Sequence, residues 1–164
     1  MKREKNLINM INSINDDFFC EKTKINTLDQ EEQYNSVSEL QMHKILYILY
    51  GNFYRTFSKE LFEKAKFQAW TWGPVEYDYR YALKILKNEN NNEGYNKIID
   101  KFNISDLSEE EYIFLDKKIR RLLNYHPWAL VEFTHQTNAW IKNYSEGVKN
   151  KSISIEDIKK DFAK

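Results

Sequence analysis

At 164 residues the chain is long enough for one domain that buries about 70% of the surface its unfolded form exposes, so neither metal nor disulfides are needed for folding. Its 25 basic and 25 acidic side chains cancel, which argues against nucleic acid as a partner, because such a binder needs a basic excess to displace counterions. The lone cysteine, Cys20, excludes an internal disulfide, and Asp16, Asp17 and Glu21 beside it oppose a thiolate, so an inert thiol in a reducing compartment is expected.

The basic start MKREKN is followed by an apolar stretch that Asn9, Asn12 and Asn15 interrupt, unlike a signal-peptide core. Leu7, Ile8, Met10, Ile11, Ile14 and Phe18 recur at three and four, which predicts an amphipathic helix over residues 4 to 18. Residues 21 to 36 are polar and aperiodic and read as a loop or partly disordered linker. Ser38 with Gln41 forms a capping-box pattern that opens a second helix running to Phe57.

That helix carries two stripes. Met42, Ile45, Leu46, Leu49, Phe53 and Phe57 fall within an arc of about 120°, while His43, Tyr47, Tyr50 and Tyr54 are centred about 110° away. The second stripe suits either a central helix packed on two sides or tyrosines presented to a partner, a setting in which they are enriched. The run Ile45 to Tyr50 is the longest apolar one, far below the ~20 residues of a membrane span, so a cytoplasmic protein without membrane contact is expected.

Phe67, Ala69 and Thr71 alternate with Gln68, Trp70 and Trp72 in the period of a strand, which Gly73-Pro74 then stops; Pro74 is expected to open a helix as its first residue. No face of this strand is plainly polar. It is core on both faces, or a recognition surface backs a buried one. The following helix, to Asn88, is expected to use Tyr77, Tyr81, Leu83, Ile85 and Leu86, and Asn88 to Gly94 reads as a surface loop before a short helix from Tyr95 to Phe102.

Ser108 with Glu111 is another capping box, opening a helix with Tyr112, Leu115, Ile119 and Leu122 on one face. Its last turns hold Lys117, Lys118, Arg120 and Arg121, which suit the negative end of the helix dipole as a solvated end rather than a phosphate site. His126-Pro127 then admits a helix from Trp128 to Gln136, and a shorter one carries Trp140 and Ile141. Ser152 to Ile155 alternates and is expected to form a brief strand against the Phe67 segment, before Ser154 caps a last helix with Ile155, Ile158 and Phe162 inward. The fold expected is mainly α, a single compact helical domain with one short antiparallel β element near residues 66 to 72.

No glycine-rich phosphate loop, nucleophile motif, CxxC or HExxH spacing occurs, so no enzyme, cofactor or small-molecule substrate is expected. Glu132 and His135 match half of a di-iron helix motif whose required second copy is missing, and His43 and His126 stand alone among aromatic neighbours. A helix-turn-helix over Ser108 to Gln136 is opposed by the lack of Lys or Arg between Trp128 and Gln136 and by the charge of Glu132.

Several of these pieces together resemble the Panacea domain, an antitoxin domain of prophage and bacterial toxin-antitoxin pairs. Met42-His43-Lys44-Ile45-Leu46-Tyr47 is similar to its opening signature, Gly51 and Leu61-Phe62 to its continuation, and Phe67 to Val75, with Ala-Trp before Gly-Pro-Val, to its most characteristic block. Leu107 to Leu115 resembles its acidic helix start, and Thr134-His135 with Trp140 resembles a Thr-His pair before Pro-Trp, although Ala139 stands where that proline is usual. The resemblance spans about residues 38 to 162, so 38–164 is expected as the Panacea-like domain and 1–37 as an N-terminal helix and polar linker, an addition specific to a partner.

What the resemblance implies is a protein that neutralises a toxin by binding it, the toxin being encoded next door and unrelated from one family member to another. The partner-binding candidates are Tyr47, Tyr50, Tyr54, Trp70, Trp72 and Tyr77, with the segment 21 to 36. Lys44, Leu46, Gly73, Pro74, Val75, His135 and Trp140 are the motif residues, of which His135 and Trp140 are assigned to architecture. Competing readings are an adaptor that hands a bound toxin to a protease, a phage protein that binds a host defence component, and an enzyme of unrecognised type.

Overall fold

The computed structural model describes residues 3–25, 37–89, 92–145 and 150–163, and the side chains of 18–25 and 87–92, those of Phe18 and Cys20 included, lie outside the description, as does most of the expected linker. The chain is mainly α: α1 (Leu7–Ile25), α2 (Glu39–Phe57), β1 (Phe67–Trp70), β2 (Gly73–Glu76), α3 (Tyr77–Glu89), α4 (Asn92–Lys101), α5 (Glu109–Leu123), α6 (Pro127–His135), α7 (Asn138–Asn143), β3 (Lys151–Ser152) and α8 (Ile155–Phe162). The expected first helix is thus longer than its periodicity alone suggests.

Helix α2 is the centre. It touches α5, α6, α8 and β2, and every residue from Met42 to Gly51 is buried. Ser38 caps it, its Oγ accepting from the Gln41 N–H at 3.2 Å. The two stripes therefore both face protein, and the expectation of Tyr47 and Tyr50 as partner contacts is corrected: both are 0% exposed. Tyr47 packs edge-on against Phe67 and Phe162 and shares a hydrogen bond with Thr137 Oγ1 at 3.2 Å, and the Tyr50 hydroxyl donates to Glu60 at 2.7 Å. Tyr54, only partly buried, lies under the Lys159 ammonium of α8, 4.4 Å from the ring centroid.

Helix α8 seats because Gly51 is bare: a Cβ there would come within 2.2 Å of the Phe162 ring. Helix α1 joins the same core through Leu7, Met10, Ile11 and Ile14, and is stitched on by the Leu7 N–H to Phe102 O and by the Ile104 N–H to Lys5 O, both at 2.8 Å.

The strand expected to run into a helix at Pro74 is instead a hairpin. Chain reversal falls on Thr71-Trp72, Gly73 takes φ +104°, a conformation that side chains resist, and β2 returns antiparallel to β1 with Ala69 opposite Pro74. Pro74 lies on the outer strand of the order β2-β1-β3, where its missing N–H does least harm. Helix α3 starts three residues later, where the Glu76 carboxylate accepts from the Tyr79 N–H at 2.9 Å. Its inward face is Tyr79, Ala82 and Ile85, and the expected Tyr77 and Tyr81 are exposed, stacked on each other at 6.3 Å. The expected pairing of a late strand with β1 is present, Gln68 opposite Ser152 and Ala69 opposite Lys151, but the strand is Lys151–Ser152 and not Ser152 to Ile155, since Ser154 caps α8 and Ile155 opens it.

Candidate functional site at the hairpin tip

The tip of the hairpin is held by side chains from α6 and α7. The Trp140 indole N–H donates to Trp70 O at 2.9 Å, and His135 Nε2 lies 3.0 Å from Thr71 O, so an imidazole and an indole satisfy two carbonyls that β3 is too short to reach. The His135 ring stacks on Trp140 at 4.1 Å, and Trp140 stacks on Tyr144 at 4.6 Å, a three-ring column beside the turn. Burial lowers the His135 pKa, favouring the neutral ring that this column packs against.

Beneath the tip, Gly73 is pinned between two buried side chains: a Cβ would lie 2.7 Å from Thr134 Oγ1 and 2.8 Å from Lys44 Cε. Lys44 is completely buried, and its Nζ donates to Pro74 O at 2.9 Å. Burial brings its pKa down to about 7, since a desolvated ammonium is disfavoured and, among the described residues, no carboxylate lies within ion-pair distance of it. The Gly-Pro pair, Lys44 and Thr134 thus form one packed unit.

A polar chain runs along the side of this unit. The Glu76 N–H donates to His43 Nδ1 at 3.0 Å, which places the ring proton on Nε2, 3.0 Å from Glu39. Glu39 also meets Arg80 at 2.8 Å, and the guanidinium lies over the Trp70 ring at 5.0 Å. The His43 hydrogen bond, helped by Arg80, holds the Glu39 carboxyl at about 2, and burial lowers the His43 pKa. An open cleft of about 830 Å³ lies here, bordered by Glu39, His43, Trp70, Trp72 and Arg80.

Of the expected contact residues, the hairpin brings Trp70 and Trp72 to this edge. Trp72 is 56% exposed and meets Trp128, 49% exposed, edge-to-face at 5.5 Å. Tyr77 is exposed elsewhere on α3, Tyr54 adjoins α8, and Tyr47 and Tyr50 are interior. Sequence reasoning missed Trp128 and Arg80. The signal for Trp128 was its place just after His126-Pro127: His126 Nδ1 accepts from the Trp128 N–H at 3.2 Å, and the first turn of α6 holds the indole outward.

Glu132 is exposed while His135 packs on Trp140, and among the described residues no group of three or more His, Cys, Asp or Glu is placed to hold a metal. No helix among them is long and apolar enough to cross a membrane.

The family model described as antitoxin SocA-like, Panacea domain, matches residues 42–141, which run from the buried face of α2 through the hairpin to Trp140 and the residue after it. No curated protein and no solved structure matches the chain. The chain belongs to the Panacea-domain, SocA-like antitoxin family.

Proposed function

We propose that this Panacea-domain protein neutralises a cognate protein toxin, encoded beside it, by binding it directly in the cytoplasm, and that the hairpin tip is the contact surface. The observation that carries this reading is the exposed Trp72–Trp128 pair, two indoles about half open to solvent on a backbone fixed by His135 and Trp140. Rigid, partly exposed aromatics are the side chains that most often anchor protein interfaces, and a frame fixed before binding lowers the entropy cost of association. Trp70, Arg80 and the cleft extend the same edge.

Nothing in this mode of action requires bond chemistry by the antitoxin; occlusion or restraint of the toxin suffices. The test is co-expression with the product of the adjacent reading frame, scoring growth rescue and co-purification. A neighbour that is harmless alone, or that fails to co-purify, defeats the reading. Rescue that persists in cells stripped of their proteases separates occlusion from delivery to a protease.

A further inference from the structure

Helix α5 presents an exposed line on the side opposite its core contacts. At about 100° per residue, Ile113, Lys117 and Arg121 fall within about 80° of arc, while the buried Leu115, Ile119 and Leu122 lie on the other side. Ile113 is 46% exposed, and the line ends at Tyr125, 51% exposed, three residues before the Trp128 of the hairpin-tip pair. Among the described residues, no carboxylate lies within ion-pair distance of Lys117 or Arg121, whereas the neighbouring Arg120 is held by Asp116 at 2.9 Å. Two cations without a carboxylate in ion-pair reach are thus set on one exposed helix side with Ile113, in the stretch of chain that leads through Tyr125 to Trp128.

We infer that the α5 line Ile113–Lys117–Arg121–Tyr125 continues the hairpin-tip surface and receives an acidic, apolar-studded segment of the partner protein. This inference rests on the antitoxin reading and adds the chemistry of what is bound. The occupant follows from charge complementarity: carboxylates satisfy Lys117 and Arg121, while apolar side chains at the two ends of the segment, about 18 Å apart, cover Ile113 at one end and Tyr125 with Trp128 at the other. A protein segment fits better than a nucleic acid. The exposed Glu109 and Glu110 stand at one end of the line and Glu132 at the other, so a continuous polyanion would meet repulsion at both ends, whereas a short acidic patch would not.

The probe is the purified product of the adjacent reading frame, titrated against the full chain at about 50 and about 200 mM salt. The double variant Lys117→Glu/Arg121→Glu is expected to bind roughly tenfold or more weakly at low salt, chiefly through slower association, with the gap narrowing at high salt. Its melting temperature stays that of the wild type, and Lys84→Glu on α3, the charge control, binds normally. Unchanged binding of the double variant, with Trp72→Ala still disruptive, overturns the acidic occupant and leaves the antitoxin reading standing. No binding by the wild type removes both. Tight binding of a mixed-sequence DNA duplex, lost in the double variant, overturns the protein occupant in favour of nucleic acid.

Discussion

The backbone N–H of Ala139 donates to the Asp161 carboxylate at 2.7 Å, tying the first turn of α7 to α8. Proline has no hydrogen to donate, so alanine here is what lets α8 be clamped. Ala139→Pro is expected to lower stability by about 1 kcal/mol: a hydrogen bond to a charged group, about 1.5–3 kcal/mol, is lost, and the stiffer unfolded chain returns about 0.4–1 kcal/mol. Urea denaturation of the variant checks this. A gain in stability would mean that Asp161 finds an equal partner in water.

Gly73→Ala meets two penalties at once. The φ of +104° resists any side chain, and the added methyl would press on Thr134 Oγ1 and Lys44 Cε, both buried. A loss of about 3 kcal/mol or more is expected from strain and overpacking together. Denaturant unfolding measures it, and tryptophan fluorescence should report displacement of the hairpin tip.

Lys44 gives stability a distinctive pH profile. Its pKa is about 7 in the folded protein and close to the ordinary 10.5 when unfolded, so between these values the unfolded chain holds more protons. Stability therefore rises with pH from about 7, with a limiting slope of about 1.4 kcal/mol per pH unit from this group. The rise ends near pH 10, because burial raises the pKa values of Tyr47, Tyr50 and Tyr79 and only the unfolded phenols then lose protons. Lys44→Met should flatten the rise and raise stability at pH 6 to 7, as chemical denaturation across pH would show.

How far this fold was legible in sequence depends on which interactions decide each element. Capping patterns are local, and Ser38 and Ser108 both mark true helix starts, the latter with a complete capping box. The alternation from Ser152 to Ile155 found the pairing with β1 but not its bounds: the strand is Lys151–Ser152, and Ser154 already caps α8. The Gly73-Pro74 pair was misread because a turn followed by a helix and a turn followed by a return strand begin alike; Lys44 and Thr134, far away in sequence, close on Gly73 and decide between them. The tyrosine stripe on α2 was ambiguous for the same reason. Whether Tyr47 is covered depends on Phe162, over a hundred residues later. Of the site, Trp70 and Trp72 were legible as an aromatic cluster, but the contact with Trp128 joins segments that share no local pattern.

Lys101 seals an ionic knot beneath the hairpin. Its Nζ lies 2.8 Å from the fully buried Glu76 carboxylate, 2.5 Å from Asp78 and 2.8 Å from Lys64 O. Lys101→Met strips the buried carboxylate of its only cation among the described residues and is expected to cost about 3–5 kcal/mol. Adding Glu76→Gln should restore part of that by removing the buried charge, and only part, since the Lys66 and Tyr79 N–H groups donate to different carboxylate oxygens and the single amide oxygen can serve one of them. A double-mutant cycle by thermal unfolding measures the coupling.

Trp72→Ala and Tyr47→Ala separate surface from core. Trp72 is more than half exposed, so its truncation should leave the melting temperature within a degree or two while weakening toxin binding by about 2 kcal/mol, or roughly thirtyfold. Tyr47, wholly buried between Phe67 and Phe162, should lose about 3–5 kcal/mol of stability on truncation, and toxin rescue should fall only as the folded fraction falls. Calorimetric binding and unfolding curves on the same preparations tell these apart. If Trp72→Ala binds toxin as the wild type does, the interface lies elsewhere, and the exposed Tyr77–Tyr81 stack on α3 is the next surface to truncate.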